Sequence, residues 1–274
     1  MMKKFLSLLF AVMMLVGVMA HHALAESADT SLQYILDKGT LILGLDDTFP
    51  PMGFRDPDTD EIVGYDIDLA KAVAEKLGVE LVCQPISWDA KELELSAKNI
   101  DCIWNGMSIT DERLESMAMS LAYMNNQIVM VAKEEKGYQG IADMAGLTIA
   151  VQSGSFAQEV LETYERYADF FASVNVVAYD DYLTALMDLQ QGGVDGVLID
   201  LVVAEYRIAG LGDESLVVID ALEDDLYGIG FRKEDVALRD QVNEILLALE
   251  ADGTVAEISQ KWFGRNISIL GAAE

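Results

Sequence analysis

The chain has 274 residues, enough for one large domain or two ordinary lobes with a substantial buried core. A composition of 52% hydrophobic and 24% charged residues is a globular balance and excludes a disordered or fibrous protein. With 18 basic against 47 acidic residues, the formal net charge of −29 argues against nucleic acid and anionic lipid as partners, since both repel it.

The first segment reads as an address. Lys3 and Lys4 are followed by an apolar run over residues 5–20, then by Ala23-Leu24-Ala25, a small-x-small cleavage site before Glu26. That order predicts a secretory signal peptide over residues 1–25, with an apolar run shorter than the roughly 20 residues of a spanning helix. No Cys follows the run, so no lipid anchor is expected, and the exported chain is assigned to a periplasm. His21 and His22 leave with the leader, so the mature chain keeps no histidine. Ser-His-Asp and Cys-His nucleophiles, histidine general bases and His-ligated metals are excluded together. The remaining 16 basic and 47 acidic residues give a net charge of −31.

Residues 41–46 form a short apolar run with a polar exit, a buried strand. Residues 66–77 carry helical periodicity stopped by Gly78; 79–86 read as a strand, 89–98 as a helix and 101–104 as a strand. The same alternation returns as strand 147–151, helix 156–167, strand 174–178, helix 182–190 and strand 194–199. Such alternation implies parallel βαβ units, and two of them in tandem imply two lobes. Extended segments at 127–132 and 226–231 read as two crossings between the lobes. Helices at 236–249 and 255–262 are expected to return to the first lobe. Cys83 and Cys102 fall on strands flanking the first strand, too far apart for a disulfide, and are expected as buried thiols.

Open α/β sheets bind ligands at the carboxyl ends of their strands. Asp46 and Phe49 follow the first strand, Trp88 the second, and Asn105, Gly106 and Ser108 the third. Arg113 lies in a helix that Thr110 is placed to cap. In the second lobe Gln152 ends a strand, Ser155-x-x-Gln158 fits a capping box with Phe156 inside it, and Asp200 ends the last strand. Arg113 can hold a carboxylate through two parallel bonds, Asp200 can accept from an ammonium, and Phe49 with Trp88 can enclose an aliphatic chain. Blander readings are a surface ion pair for Arg113, a helix cap for Asp200, core for Trp88 and an Asx turn for Asp46. Asp56, Asp58 and Asp60 have calcium-like spacing, but Glu61 replaces the EF-hand glycine and Ile67 its last acid, leaving a solvated turn.

Five stretches, in order, resemble the polar amino-acid substrate-binding proteins of bacterial ABC importers across residues 40–264. They are Asp46-Asp-Thr-Phe-Pro-Pro-Met-Gly-Phe54, Val63-Gly-Tyr-Asp-Ile-Asp-Leu-Ala70, Ile100-Asp-Cys-Ile-Trp-Asn-Gly-Met-Ser-Ile-Thr-Asp-Glu-Arg113, Val151-Gln-Ser-Gly-Ser155, and Asp252-Gly-Thr254 with Lys261-Trp-Phe-Gly264. The resemblance implies a two-lobed periplasmic-binding-protein-like fold of type II, each lobe a mostly parallel sheet flanked by helices, with a two-stranded hinge. On this reading lobe 1 is residues 26–126 and 226–274, and lobe 2 is 127–225. It also implies Arg113 for the α-carboxylate, helped by Ser108 and N–H groups near Ser155, and Asp200 for the α-ammonium. Phe49 and Trp88 become aromatic walls, and Asp46 selects the side chain. Gln152, Phe156, Met52 and the segment 120–123 depart from the family pattern. Asp46 without a matching basic residue disfavours aspartate or glutamate as ligand.

The expected function is capture of a polar or cationic free amino acid and delivery to an ABC permease by hinged closure, as a monomer and with no metal or cofactor. The alternative is a cyclohexadienyl dehydratase on the same fold, which requires a carboxylic acid to protonate a leaving hydroxyl.

Overall fold

Apolar runs too short for helices alternate with amphipathic stretches, and each alternation folds into a strand with its covering helix. The computed structural model describes residues 29–210 and 214–271; the leader and both histidines lie outside them. Helix α1 (Ser31–Lys38) precedes strand β1 (Thr40–Leu45). Strands β2 (Thr48–Phe49), β3 (Gly53–Arg55) and β4 (Ile62–Val63) make a small antiparallel sheet of their own. The acid-rich turn at 56–60 joins β3 to β4, with the Asp56 carboxylate accepting from the N–H groups of Asp58 and Thr59. Helix α2 (Tyr65–Leu77) ends at Gly78, which is left-handed at φ +74°. Strand β5 (Glu80–Pro85), helix α3 (Lys91–Ser96) and strand β6 (Cys102–Ser108) complete this unit.

Helix α4 (Asp111–Ser116), β7 (Met117–Met119) and the long β8 (Met124–Lys133) lead to the second unit. That unit is β9 (Thr148–Gln152), α5 (Phe156–Thr163), α6 (Ala168–Ser173), β10 (Asn175–Tyr179), α7 (Tyr182–Gln191), β11 (Gly196–Asp200) and α8 (Leu201–Glu205). The chain returns through β12 (Leu216–Arg232) and closes with α9 (Val236–Ala251) and α10 (Thr254–Phe263). Helix α9 lies on α1 and α2, and α10 on α2.

One large sheet runs in the order β10-β9-β11-β8-β12-β6-β1-β5. The triplets β10-β9-β11 and β6-β1-β5 are each parallel internally, and the antiparallel strands β8 and β12 join them. Leu43 of β1 pairs with Cys83 on one side and Cys102 on the other. The two thiols are therefore two strand spacings apart, roughly 9–10 Å, and both are free. Cys102 is buried as expected, whereas Cys83 is only half-buried. Leu41, Leu43 and Leu45 are fully buried, each worth about 1.5–3 kcal/mol of transfer free energy.

Three expectations need correction. The helix expected over 156–167 stops at Thr163, and a separate α6 follows. Strand β6 continues four residues past Trp104, so Asn105, Gly106 and Ser108 lie in the strand itself. Strand β12 begins at Leu216 rather than near residue 226, which puts Glu223, Asp224 and Asp225 inside it.

Candidate functional site

Asp46 follows β1 directly and is buried. Its Oδ1 accepts from the Thr48 N–H at 2.9 Å and the Thr48 hydroxyl at 2.6 Å, the Asx turn of the blander reading. Its Oδ2 faces the other way and accepts from Gln152 Nε2 at 2.6 Å. Gln152 ends β9, so this bond links the two parallel triplets of the sheet. Burial pushes the Asp46 carboxyl above its usual range, and the Thr48 and Gln152 donors partly restore it. The Asn105 side-chain Oδ1 accepts from the Asp46 N–H at 3.0 Å, while the buried Asn105 Nδ2 has no hydrogen-bond partner among the described residues. Phe49 sits against Gly106 and packs tilted on Tyr182, with ring centroids 6.0 Å apart.

Arg113 is held by its own helix start, where Thr110 Oγ1 accepts from the Arg113 N–H at 3.3 Å. The guanidinium is buried; Nη1 donates to the Ser108 carbonyl at 2.8 Å and Nη2 to the Gly154 carbonyl at 3.4 Å. Among the described residues no carboxylate oxygen comes within 4.0 Å of it. Burial lowers its pKa, but an arginine remains a cation. The Ser155 hydroxyl accepts from the Gln158 N–H at 3.2 Å, one arm of the expected capping box. The other arm differs: Gln158 Oε1 takes the Gly154 N–H, and the Ser155 N–H donates to the Gln152 carbonyl. Two N–H groups expected to face an anion are thus engaged within their own loop.

Asp200 ends β11 and does not cap α8. Its Oδ1 accepts from Asn126 Nδ2 at 2.8 Å and from the Tyr227 hydroxyl at 2.7 Å. Burial, then the neighbouring Asp225, raises its pKa to about 7. Asp225 accepts from the Ser108 hydroxyl and from Asn126 Nδ2, both at 2.9 Å, and burial raises it to about 6. Trp88 packs in an apolar cluster with Leu95, Ile103 and Met107, as core residues do. Phe156 packs edge-on against Tyr164, and both line a cavity of about 750 Å³ with Asn126 and Asp225.

The expected polar residues therefore gather in three places: Asp46 with Asn105 and Gln152, Arg113 with Ser108 and the loop before Ser155, and Asp200 at the end of β11 against Asn126 and Tyr227 of the central strands. Sequence reasoning missed Lys91, Asn126, Tyr182, Asp225 and Tyr227. Lys91 is buried; its ammonium donates to the Gly154 carbonyl at 2.9 Å and lies 5.2 Å from the Trp88 ring centroid. Burial, then the Arg113 charge, lowers its pKa to about 8. Among the described residues no cluster of His, Cys, Asp and Glu is arranged to hold a metal ion.

The structure thus shows a buried guanidinium held by two backbone carbonyls, with the buried carboxylates of Asp200 and Asp225 acting on it electrostatically, and residues 41–265 match the bacterial extracellular solute-binding proteins, family 3. The chain belongs to that family. The L-cystine-binding protein TcyJ of Escherichia coli is 30% identical over 260 residues, covering 93% of this chain and 94% of that protein. The ABC transporter arginine-binding protein 1 of Escherichia coli is 32% identical over 225 residues, covering 80% of this chain and 89% of that one. The crystal structure of an ABC uptake transporter substrate-binding protein from Streptococcus pneumoniae, with bound histidine, matches with a TM-score of 0.82. That match has 39% identity and covers 89% of this chain and 99% of the other. The fold is the periplasmic-binding-protein-like one.

Proposed function

We propose that this solute-binding protein captures a polar or cationic free amino acid in the periplasm and hands it to an ABC importer permease. It works as a monomer and without catalysis. The observation that carries the reading is Arg113, a buried cation whose described partners are two backbone carbonyls. Burying a charge without a counter-charge is costly, and a ligand carboxylate supplies one with matching two-pronged geometry. Asp200 provides the opposite pole for an ammonium. Asp46 adds a buried carboxylate toward the side-chain end, which favours a polar or cationic group there.

Lobe 1 is residues 26–126 and 226–274, lobe 2 is 127–225, and β8 with β12 serves as the hinge. The leader over residues 1–25 exports the chain. A dehydratase on the same fold draws support from the raised pKa values of Asp200 and Asp225, which suit a proton donor. A thermal-shift screen of the ligand-stripped protein separates these readings. A shift with one or a few polar or basic amino acids is expected, because a ligand bound only by the folded state stabilises it. A shift with prephenate or arogenate alone favours the enzyme; no shift across the amino acids removes the proposal.

A further inference from the structure

Asp225 and Asn126 face each other in the register of β12 and β8, and the end of β11 brings Asp200 beside them. A single amide nitrogen, Asn126 Nδ2, donates to both carboxylates, at 2.8 Å to Asp200 Oδ1 and 2.9 Å to Asp225 Oδ2. Those two bonds hold the acceptor oxygens within roughly 6 Å of each other, where like charges resist joint ionisation. Both side chains are buried, so water screens the repulsion little. We infer that Asp200 and Asp225 act as one proton-holding pair at the ammonium pole, so that uptake of an amino acid expels a proton to solvent.

The inference rests on the amino-acid reading above. Every charged or titratable group facing the pair fits it. Arg113, from α4, is the cation that interacts with both acids and makes no ion pair with either. The Tyr227 hydroxyl, from β12, donates to Asp200, and the Ser108 hydroxyl, from β6, donates to Asp225. Tyr182, from α7, is buried beside Asp200 and Ser155, and burial, then the Asp200 charge, pushes its pKa well up. Tyr227 is pushed up likewise, and Tyr164, after α5, is raised chiefly by burial. These phenols keep their protons near neutrality, which leaves the carboxylates as the exchanging groups.

Burial raises both carboxyls, Asp200 to about 7 with the Asp225 charge adding to it and Asp225 to about 6, so the two exchange protons as a coupled pair. An ammonium placed against Asp200 favours the doubly ionised state and lowers both pKa values. The proton then passes to the buffer. Affinity therefore rises with pH through this window and falls below it.

Titration calorimetry of the ligand-stripped protein with L-arginine reads this directly, because the arginine side chain does not titrate between pH 5 and 8. L-Glutamine is the second probe. At pH 6.5 roughly half to one proton should be released per ligand, seen as an observed enthalpy that tracks the ionisation enthalpy of the buffer. Affinity should fall by up to roughly tenfold per pH unit below pH 6. Asp225→Asn should cut the release by half or more, since Asp200 loses its like-charged neighbour. Binding with the same enthalpy in every buffer overturns the inference and leaves the amino-acid reading intact. No binding of arginine, glutamine or any other common amino acid overturns both. The wild-type buffer series decides the matter even where the variant does not fold.

Discussion

At Arg113 the balance between burial and recognition is most exposed. A guanidinium out of water with only carbonyl acceptors costs several kcal/mol, and a two-pronged carboxylate is the partner that recovers most. Arg113→Lys keeps the charge and loses the fork, so affinity should fall by about 2–4 kcal/mol, roughly 30- to 1,000-fold. Calorimetry checks this; a loss under threefold would remove Arg113 from the ligand site. Asp66 makes a different case. It is fully buried in the first turn of α2, and its Oδ2 accepts from the Gly106 N–H at 2.7 Å and the Tyr123 hydroxyl at 3.0 Å. Burial raises it to about 7, so the native state holds its proton to higher pH than the unfolded chain does. Its contribution is complete below about pH 4 and is lost as pH rises through 7. Asp66→Asn should therefore raise the melting temperature at pH 8 and leave it unchanged at pH 4. An equal effect at both values would show that the charge is not what the site resists.

At the scale of elements, the end of β6 carries three of the candidate site residues, Asn105, Gly106 and Ser108. Gly106 is left-handed at φ +59°, and a Cβ there would meet the Phe49 ring at 2.8 Å and the Tyr227 ring at 3.0 Å. Gly106→Ala should cost about 1–3 kcal/mol in denaturant unfolding and weaken ligand binding with it. A variant of wild-type stability would mean that both rings yield freely. The same strand marks the limit of sequence reading. Strands β1, β5, β9, β10 and β11 are legible because each carries a compact apolar run, whereas the end of β6 is Asn105, Gly106 and Ser108, which reads as loop. In β12 the pattern is inverted: Glu223 and Asp225 are buried while Leu226 is 41% exposed. An apolar Leu226 invites the wrong parity, which hid Asp225. Helix α1 buries only Ile35 and so shows no stripe. Lys91 was invisible for another reason, since a lysine in the first turn of a helix opposes the dipole and reads as solvated. Asp46, Arg113 and Asp200 were legible because strand ends and helix starts in this architecture announce themselves.

Across the whole molecule, hydrogen bonds from three side chains join one parallel triplet to the other, alongside the ring contact of Phe49 with Tyr182. Gln152 donates to Asp46, and both Lys91 and Arg113 donate to the Gly154 carbonyl. On the hinged reading all three break when the lobes part, and Gly154 is the point on which they converge. Gly154 is left-handed at φ +69°, and a Cβ there would lie 3.0 Å from Asp89 Cα and 3.3 Å from Lys91 Nζ. Gly154→Ala therefore carries two separable costs. The left-handed backbone costs about 1–2 kcal/mol whether the lobes are together or apart, and lowers the melting temperature of the ligand-free protein. The close approach to the backbone of Asp89 is felt only when the lobes meet, so it falls on closure. Ligand release, followed by stopped-flow tryptophan fluorescence, should speed by roughly tenfold, a closure cost of about 1.4 kcal/mol. A release rate within twofold of wild type, in a variant that still binds, would mean that Gly154 and Asp89 never separate. The two triplets would then be one rigid body, and ligand entry would need a route other than a hinge.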